Sequence, residues 1–283
     1  MPNIVACIDG SRASQSVCDH AAWASQRMDA PLMLFHVLDE ARYPAEPDLA
    51  GSIGLGSREH LLDELADLDQ KRSRLALEQG RHMLEAAEER ARADGAETIL
   101  RRQRHGDLPD CLLDIEPETR VLVMGLHGES STDRDVHIGS QLETVIRTLH
   151  RPIMLVPDEF REPRSAMLAF DGSETAFNGV RLLAESPVFR DFPLHLVMVG
   201  PDTNDRREQL GKAESALTAN GCEVHTAIRA GDVEKTLHAY QDEHEIDLMV
   251  MGAYGHSKIR RFLVGSTTTS MLTNTRTPLV ILR

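Results

Sequence analysis

The sequence predicts an α/β protein made of two similar doubly wound domains, each with a five-stranded parallel sheet in the order 3-2-1-4-5. Two observations lead to this fold class. The second half of the chain repeats motifs of the first in the same order, and short apolar runs alternate with helical segments in both halves. This alternation implies a parallel sheet covered by helices on both faces. The 283 residues are sufficient for two domains of ordinary size.

The repeat fixes the expected domain boundaries. One pair of matching motifs is separated by 162 residues and the others by 125 to 127, so the first copy carries about 36 additional residues between roughly 40 and 80. We expect a first domain at 1–157, a charged linker at 158–164 and a second domain at 165–283. The matching pairs are Asp9 with Asp171, Gly106 with Gly231, Gly125 with Gly252, and Pro152 with Pro278.

The second copy shows the order of elements most clearly. The apolar runs SAMLAFD, LHLVMV, EVHTAIRAG, DLMVMG and PLVIL predict strands one to five. Ser173 is expected to cap the helix after strand one and Asp232 the helix after strand three, and Gly221 ends the helix between strands two and three. STTTSMLTNT predicts the fourth helix.

The additional residues of the first copy are also expected to form a helix, because four leucines recur at helical spacing. A Gly-x-Gly motif in GSIGLG at 51–56 precedes that helix, but no strand ends directly before it, so we interpret it as a loop. The leucines are Leu61, Leu65, Leu68 and Leu75.

Composition excludes several classes of function. The formal net charge of −14 disfavours nucleic acid and anionic membranes as partners, and 4% aromatic residues argue against a base-stacking surface. The N-terminus does not resemble a signal peptide and no apolar run is long enough to span a bilayer, so we expect a soluble, cytoplasmic protein. The four cysteines form no CxxC pair and are expected to be buried.

The most informative stretch is MGAYGHSKIRRFLVGSTTTSML at 251–272. Gly252 and Gly255 let the backbone turn sharply off strand four and let a ligand approach it closely. Gly265 opens the fourth helix, whose free N–H groups attract anionic oxygens, and Ser266 and Thr267 add hydroxyl donors. This pattern favours a phosphate-binding loop.

The loop after strand one faces the same crevice. In the order 3-2-1-4-5, strand order reverses between strands one and four, and ligands bind at such a point beyond the carboxyl ends. Asp171 ends strand one, where a carboxylate suits a ribose hydroxyl or a phosphate-bound metal ion such as Mg²⁺. Lys258, Arg260 and Arg261 lie between Gly255 and Gly265 and can neutralise phosphate charge.

The pattern Gly-x-x-Gly, nine residues, Gly-Ser resembles the ATP-binding signature of the universal stress protein family. The resemblance extends over both halves, so the chain looks like a tandem universal stress protein. It implies a flavodoxin-like (HUP-type) domain in each half, pairing of the two halves through their fifth strands, and a homodimer. It also implies that ATP is contacted by Asp171, Val199, Met251, Gly252, Gly255, Gly265, Ser266 and Thr267.

The first half departs from this signature. Ten residues instead of nine separate the second and third glycines, and the loop carries three acidic residues against one arginine, which opposes triphosphate binding. We therefore expect ATP mainly in the C-terminal half. A weaker site would use Asp9, Gly125, Gly128, Gly139 and Ser140.

Other interpretations fit less well. HIGS at 137–140 is similar to the HIGH motif of nucleotidylyl transferases, but it opens the fourth helix instead of the first. A phosphorylation receiver needs a lysine after strand five, where this sequence stops, and Asp232 is better explained as a helix cap. Three possibilities remain: a nucleotide-dependent regulatory protein, a slow ATP hydrolase, and a dimerising module with a vestigial site. We expect at most weak ATPase activity, since the loops offer no evident general base.

Overall fold

A computed structural model describes residues 1–39, 57–126, 140–252, 275 and 277–283. Strands and helices alternate along these residues. The first half contains β1 (Asn3–Cys7), α1 (Ala13–Met28), β2 (Leu32–Asp39), α2 (Ser57–Ala93), β3 (Ile99–Gly106), α3 (Leu108–Ile115), β4 (Thr119–Gly125), α4 (Ser140–Thr148) and β5 (Ile153–Val156). The second contains β6 (Ala166–Ala169), α5 (Glu174–Glu185), β7 (Pro193–Val199), α6 (Asn204–Thr218), β8 (Glu223–Arg229), α7 (Val233–Glu243), β9 (Leu248–Gly252) and β10 (Leu279–Leu282).

The described strands form one continuous sheet in the order β3-β2-β1-β4-β5-β10-β9-β6-β7-β8. Each half contributes five parallel strands. The first strand of each half, β1 or β6, lies at the centre of its five. The halves meet where β10 runs antiparallel to β5, with Val280 opposite Met154. The α/β fold class with a mostly parallel sheet is confirmed.

Apolar side chains cover both faces of the sheet. On β10, Val280 and Leu282 join the core cluster under α1, α2, α5 and α6, whereas Leu279 and Ile281 join the cluster under α3, α4 and α7. Burial on both faces explains why the strands appear in the sequence as continuous apolar runs. Each of the two core clusters contains residues from both halves.

Local signals end the elements at the expected positions. The Ser173 hydroxyl accepts a hydrogen bond from the Ala176 N–H at 3.1 Å, and Asp232 accepts one from the Lys235 N–H at 3.3 Å. Gly221 follows α6 with a φ of 82°, a conformation that glycine adopts without strain.

Helix α2 is 37 residues long, whereas its counterpart α6 has 15. The C-terminal part of α2 corresponds to α6, because Met83 lies over Gly10 as Gln209 lies over Gly172. The additional length therefore lies at the N-terminal end, where Leu65, Leu68 and Leu75 are exposed. The GSIGLG motif at 51–56 lies outside the described residues.

Three of the four cysteines are buried and Cys7 is half-buried, and all four are free thiols. Burial raises the pKa of each of these thiols, and the pKa of Cys18 reaches about 12. No helix within the described residues is both long and apolar enough to cross a membrane.

Candidate functional site

A cavity of about 620 Å³ opens at the carboxyl ends of β6, β7 and β8. This is the volume range of small-molecule pockets. Its floor and walls are mostly apolar, and its polar members come from the strand ends and from α6. The described residues around it are Ala169, Phe170, Asp171, Val197, Met198, Val199, Gly200, Pro201, Arg206, Ala230, Gly231, Val233 and Leu237.

Strand register brings the ends of β6, β7 and β9 together. Ala169 of β6 lies opposite Val197 of β7 on one side and Met251 of β9 on the other. Asp171, Val199 and Gly252 follow these positions by one or two residues, so they lie at neighbouring strand ends. A ligand in the cavity can therefore contact Asp171 and Val199 together. Gly252 lies on the other side of β6, at the end of β9.

Gly200 and Gly231 shape the cavity edge, because each adopts a φ near 145° that favours glycine. The Gly200 N–H donates to the Arg229 carbonyl at 2.7 Å. Arg206 of α6 folds across Gly200, and its Nη1 donates to the Pro201 carbonyl at 3.2 Å. A cationic side chain thus lies at the edge of an apolar pocket.

The carboxylate of Asp171 accepts a hydrogen bond from the Ser173 N–H at 2.9 Å. The equivalent Asp9 of the first half accepts the same kind of bond from Ser11 at 2.9 Å. Asp9 also receives the hydroxyl of Ser14 at 2.9 Å on the same oxygen. The repeat places Ala176 where the first half has Ser14, so a hydroxyl at this position is particular to the first half.

Helix α7 forms the wall opposite the sheet. Its N-terminus is capped by Asp232, and Val233 and Leu237 on its first turns face the cavity. Further along α7, the Tyr240 hydroxyl lies 3.0 Å from Nδ1 of His195 on β7. The guanidinium of Arg229 lies over the Tyr240 ring, 5.4 Å from its centroid. These contacts fasten α7 to β7 and β8.

The His195 ring lies against two further imidazoles. Its centroid is 4.8 Å from that of His225 and 5.3 Å from that of His244. Burial, followed by repulsion from these two rings, lowers the pKa of His195 to about 4, against the opposing charge of Glu223. Burial also raises the pKa of Tyr240. His195 is therefore neutral at pH 7.

The sequence-predicted site residues fall into two groups. In the second half, Asp171 and Val199 line the cavity, while Met251 and Gly252 lie at the end of β9, with Gly252 packed against Thr175. In the first half, Asp9 follows β1, Gly125 ends β4 and Ser140 begins α4. Gly128, Gly139, Gly255, Gly265, Ser266 and Thr267 lie outside the described residues.

Sequence reasoning missed the wall built by β8 and α7. Gly231 carried a usable signal, because it matches Gly106 in the repeat and both have a φ near 144°. A glycine kept at a strand end in both copies indicates a close backbone approach. Arg206, Val233 and Leu237 carried no comparable pattern, and only the packing of α6 and α7 brings them to the cavity.

Within the described residues, no three histidine, cysteine, aspartate or glutamate side chains converge on a position that could hold a metal ion. The His225 and His244 rings are tilted by 36° and 46° against the His195 ring, whose Nδ1 lies beside the Tyr240 hydroxyl.

Comparisons with known proteins agree with this architecture. The family model described as the universal stress protein family matches residues 1–157 and 201–283. Universal stress protein Slr1230 of Synechocystis sp. is 33% identical over 287 residues, covering 100% of both chains.

Two solved structures show the same fold. The crystal structure of a universal stress protein from Archaeoglobus fulgidus has a TM-score of 0.67 at 17% identity, covering 100% of this chain and 96% of the other. A putative universal stress protein from Pseudomonas aeruginosa has a TM-score of 0.59 at 11% identity, covering 100% and 93%. The predicted family is therefore confirmed: the chain belongs to the universal stress protein family, with matches to the family model in both halves.

Proposed function

We propose that this chain is a nucleotide-dependent regulatory protein of the stress response that binds ATP mainly in its C-terminal half. The observation that carries the proposal is the cavity at the ends of β6, β7 and β8, with Asp171 and Val199 on its lining. It opens at the carboxyl ends of the strands on the β7 side of β6, and the point where strand order reverses lies on the other side of β6, between β6 and β9. Ligands of doubly wound sheets bind at this end of the sheet.

The described residues fit a nucleoside. Apolar side chains of Val197, Val199, Val233 and Leu237 offer flat contact for a base, and the Asp171 carboxylate suits a ribose hydroxyl. A base between the sheet and α7 would be shielded from water by mostly apolar walls. Pockets of this kind need only a few polar groups to orient the ligand.

The phosphates are assigned to the loop after β9. By sequence, Gly252 and Gly255 would allow close approach of the backbone, and Gly265, Ser266 and Thr267 are proposed to supply N–H and hydroxyl donors. Met251 lies on β9 directly before Gly252. When bound, a Mg²⁺ ion on the phosphates would supply positive charge, and Asp171 is the residue proposed to hold it.

The first half is proposed as a weaker site. Its acidic loop between Gly128 and Gly139 repels phosphate, and Asp9 already accepts the Ser14 hydroxyl. The remaining members of this site are Gly125 and Ser140.

We also propose that the chain works as a homodimer whose two halves pair within each chain. The antiparallel contact of β5 and β10 supports the pairing of the halves. Since this contact occupies both fifth strands, a second copy has to bind another surface.

Isothermal titration with ATP, combined with a turnover assay, tests the nucleotide proposal. Gly265→Val is expected to lower affinity at least about tenfold, because the new side chain blocks the approach of phosphate to the helix amides. Gly211→Ala on α6 is the control, since an added Cβ there meets nothing within 4 Å. Absence of ATP binding by the wild type, or equal binding by Gly265→Val, would overturn the proposal.

The same measurements separate the alternatives. Multiple turnovers of ATP that Gly265→Val abolishes would identify a hydrolase. Tight binding without turnover supports the regulatory function. A folded protein without measurable affinity for ATP would indicate a vestigial site.

A further inference from the structure

The N-terminal part of α2 extends beyond the body of the protein. Buried positions recur along the C-terminal part of the helix at Ala76, Gly80, Leu84, Ala87 and Ala91. Between residues 64 and 75, every side chain that the structure describes is exposed, except the half-buried Ser73. We call residues 57–75 of α2 the arm, which is about 28 Å long at a rise of about 1.5 Å per residue; its described side chains, from 64 to 75, project from the body of the protein.

Three leucines lie along one side of this arm. Leu65, Leu68 and Leu75 are 49%, 59% and 64% exposed, and helical spacing places them within about a quarter of the circumference. A single projecting helix gains little stability on its own in water, and most helical stability comes from packing an apolar face. The leucine stripe therefore favours a partner.

Charge along the arm identifies the partner. Acidic residues predominate before position 70 and basic residues after it. The first part has Glu59, Asp63, Glu64, Asp67 and Asp69 against Arg58, and the second has Lys71, Arg72 and Arg74, of which Arg74 also pairs with Glu78 at 3.8 Å. An antiparallel second copy places the acidic part of each arm beside the basic part of the other, whereas a parallel copy places like charges together.

The chain as a whole carries a net charge of −14, which opposes unspecific association. Attraction between the acidic and basic parts of two arms opposes this repulsion, but only when the arms are antiparallel. The resulting contact has two-fold symmetry, so it closes after two copies instead of continuing into a filament.

We propose that the arms of two chains pack antiparallel through the leucine stripe and form the dimer contact of this protein. This inference rests on the homodimer part of the proposed function and is independent of nucleotide binding. The contact lies on the helical layer outside β2 and β3, away from the seam of β5 and β10.

Charge variants of the full chain test the proposal by sedimentation equilibrium without nucleotide. Glu64→Lys with Asp67→Lys makes the arm basic, and Lys71→Glu with Arg72→Glu makes it more acidic. Each double variant alone is expected to sediment at the mass of one chain. Their equimolar mixture, and the quadruple variant, are expected to return to twice that mass, like the wild type.

A leucine pair provides a second readout. Leu68→Asn is expected to raise the dimer dissociation constant at least about tenfold, because it removes the apolar seam. Leu77→Asn is the control, since Leu77 is 45% exposed on the other side of the helix. Circular dichroism of each variant verifies that the protein is folded.

A wild-type protein at the mass of one chain at every concentration would overturn both the homodimer and this contact. A dimeric wild type whose charge and Leu68 variants stay dimeric would overturn the arm contact alone. Neither result affects the nucleotide proposal, because ATP titration measures that independently.

Discussion

The Ser14 hydroxyl donates to Oδ1 of Asp9 at 2.9 Å, and the second half of the chain has Ala176 at the position of Ser14. Asp9 and Asp171 follow equivalent strands, but only the Asp9 carboxylate has a serine at this position of the next helix. In the first half, one oxygen accepts both the Ser11 N–H and a side-chain hydroxyl. We expect the Ser14 hydroxyl to compete with a nucleotide for the carboxylate of the first half, in addition to the effect of the acidic glycine loop.

Exchange of these two residues should alter nucleotide affinity. Ala176→Ser adds a hydroxyl that competes with a ribose for Asp171, so the dissociation constant for ATP should rise about three- to tenfold, the equivalent of one hydrogen bond. Ser14→Ala is the matched variant and should leave the second site unchanged. Isothermal titration measures both, and an unchanged affinity of Ala176→Ser would contradict this explanation.

The two aspartates before α3 and α7 make a second matched pair. Asp232 caps α7 through a side-chain hydrogen bond to the Lys235 N–H, whereas Asp107 makes no such bond at the start of α3. Asp232→Ala should lower the free energy of unfolding by about 1 kcal/mol. Asp107→Ala should change it by less than about 0.5 kcal/mol.

Urea denaturation followed by circular dichroism measures this difference. Because α7 forms a wall of the cavity, Asp232→Ala should also weaken ATP binding, and Asp107→Ala should not. Equal losses of stability in the two variants would show that the cap bond does not determine the effect.

The cap at Asp232 was predictable from sequence because it depends on neighbouring residues only. The same holds for the Ser173 cap, for the end of β9 at Gly252 and for Asp171 two residues after β6, where an apolar run meets a polar or glycine residue. The leucine spacing of 61–75 likewise predicted the helical character of the added segment.

Long-range packing was not predictable in this way. Arg206 reaches the cavity because α6 leans across Gly200, and no spacing in the sequence encodes that contact. The leucines of α2 follow the spacing of a core helix, yet Leu65, Leu68 and Leu75 are exposed. The spacing shows that they lie on one side of the helix, but it does not show whether another element covers that side. The contact of β5 with β10 was expected from the family resemblance alone.

The ion pair of Arg90 with Asp19 should stabilise the contact between α2 and α1. Arg90 donates to both oxygens of Asp19, with Nη2 to Oδ2 at 2.8 Å, and Asp19 is only 8% exposed. Arg90→Ala leaves a buried carboxylate without this partner and should lower the free energy of unfolding by about 2 kcal/mol.

Arg92→Ala is the control, because Arg92 pairs with Glu88 at the surface one turn away. Exposed pairs of this kind contribute at most about 0.5 kcal/mol. Chemical denaturation of both variants at low and moderate salt checks the comparison. Similar losses for Arg90→Ala and Arg92→Ala would refute the buried role of Asp19.

The neutral His195 predicts a loss of stability in mild acid. Its pKa is lowered to about 4 in the folded protein, first by burial and then by His225 and His244, with Glu223 opposing them. In the unfolded chain, histidine takes up a proton near pH 6.5. The unfolded state therefore binds more protons between about pH 6.5 and 4, and stability falls as the pH decreases through this window.

Urea denaturation at a series of pH values measures the slope. His195→Gln should reduce it relative to the wild type, because glutamine cannot bind the proton in either state. His82→Gln, on the exposed face of α2, is the comparison for replacing a histidine outside the cluster. His20, whose pKa is also lowered to about 4 by burial, contributes in all three proteins and so cancels. If His195→Gln and the wild type lose stability in parallel from pH 6.5 to 4, the histidine cluster at α7 is not responsible for acid sensitivity.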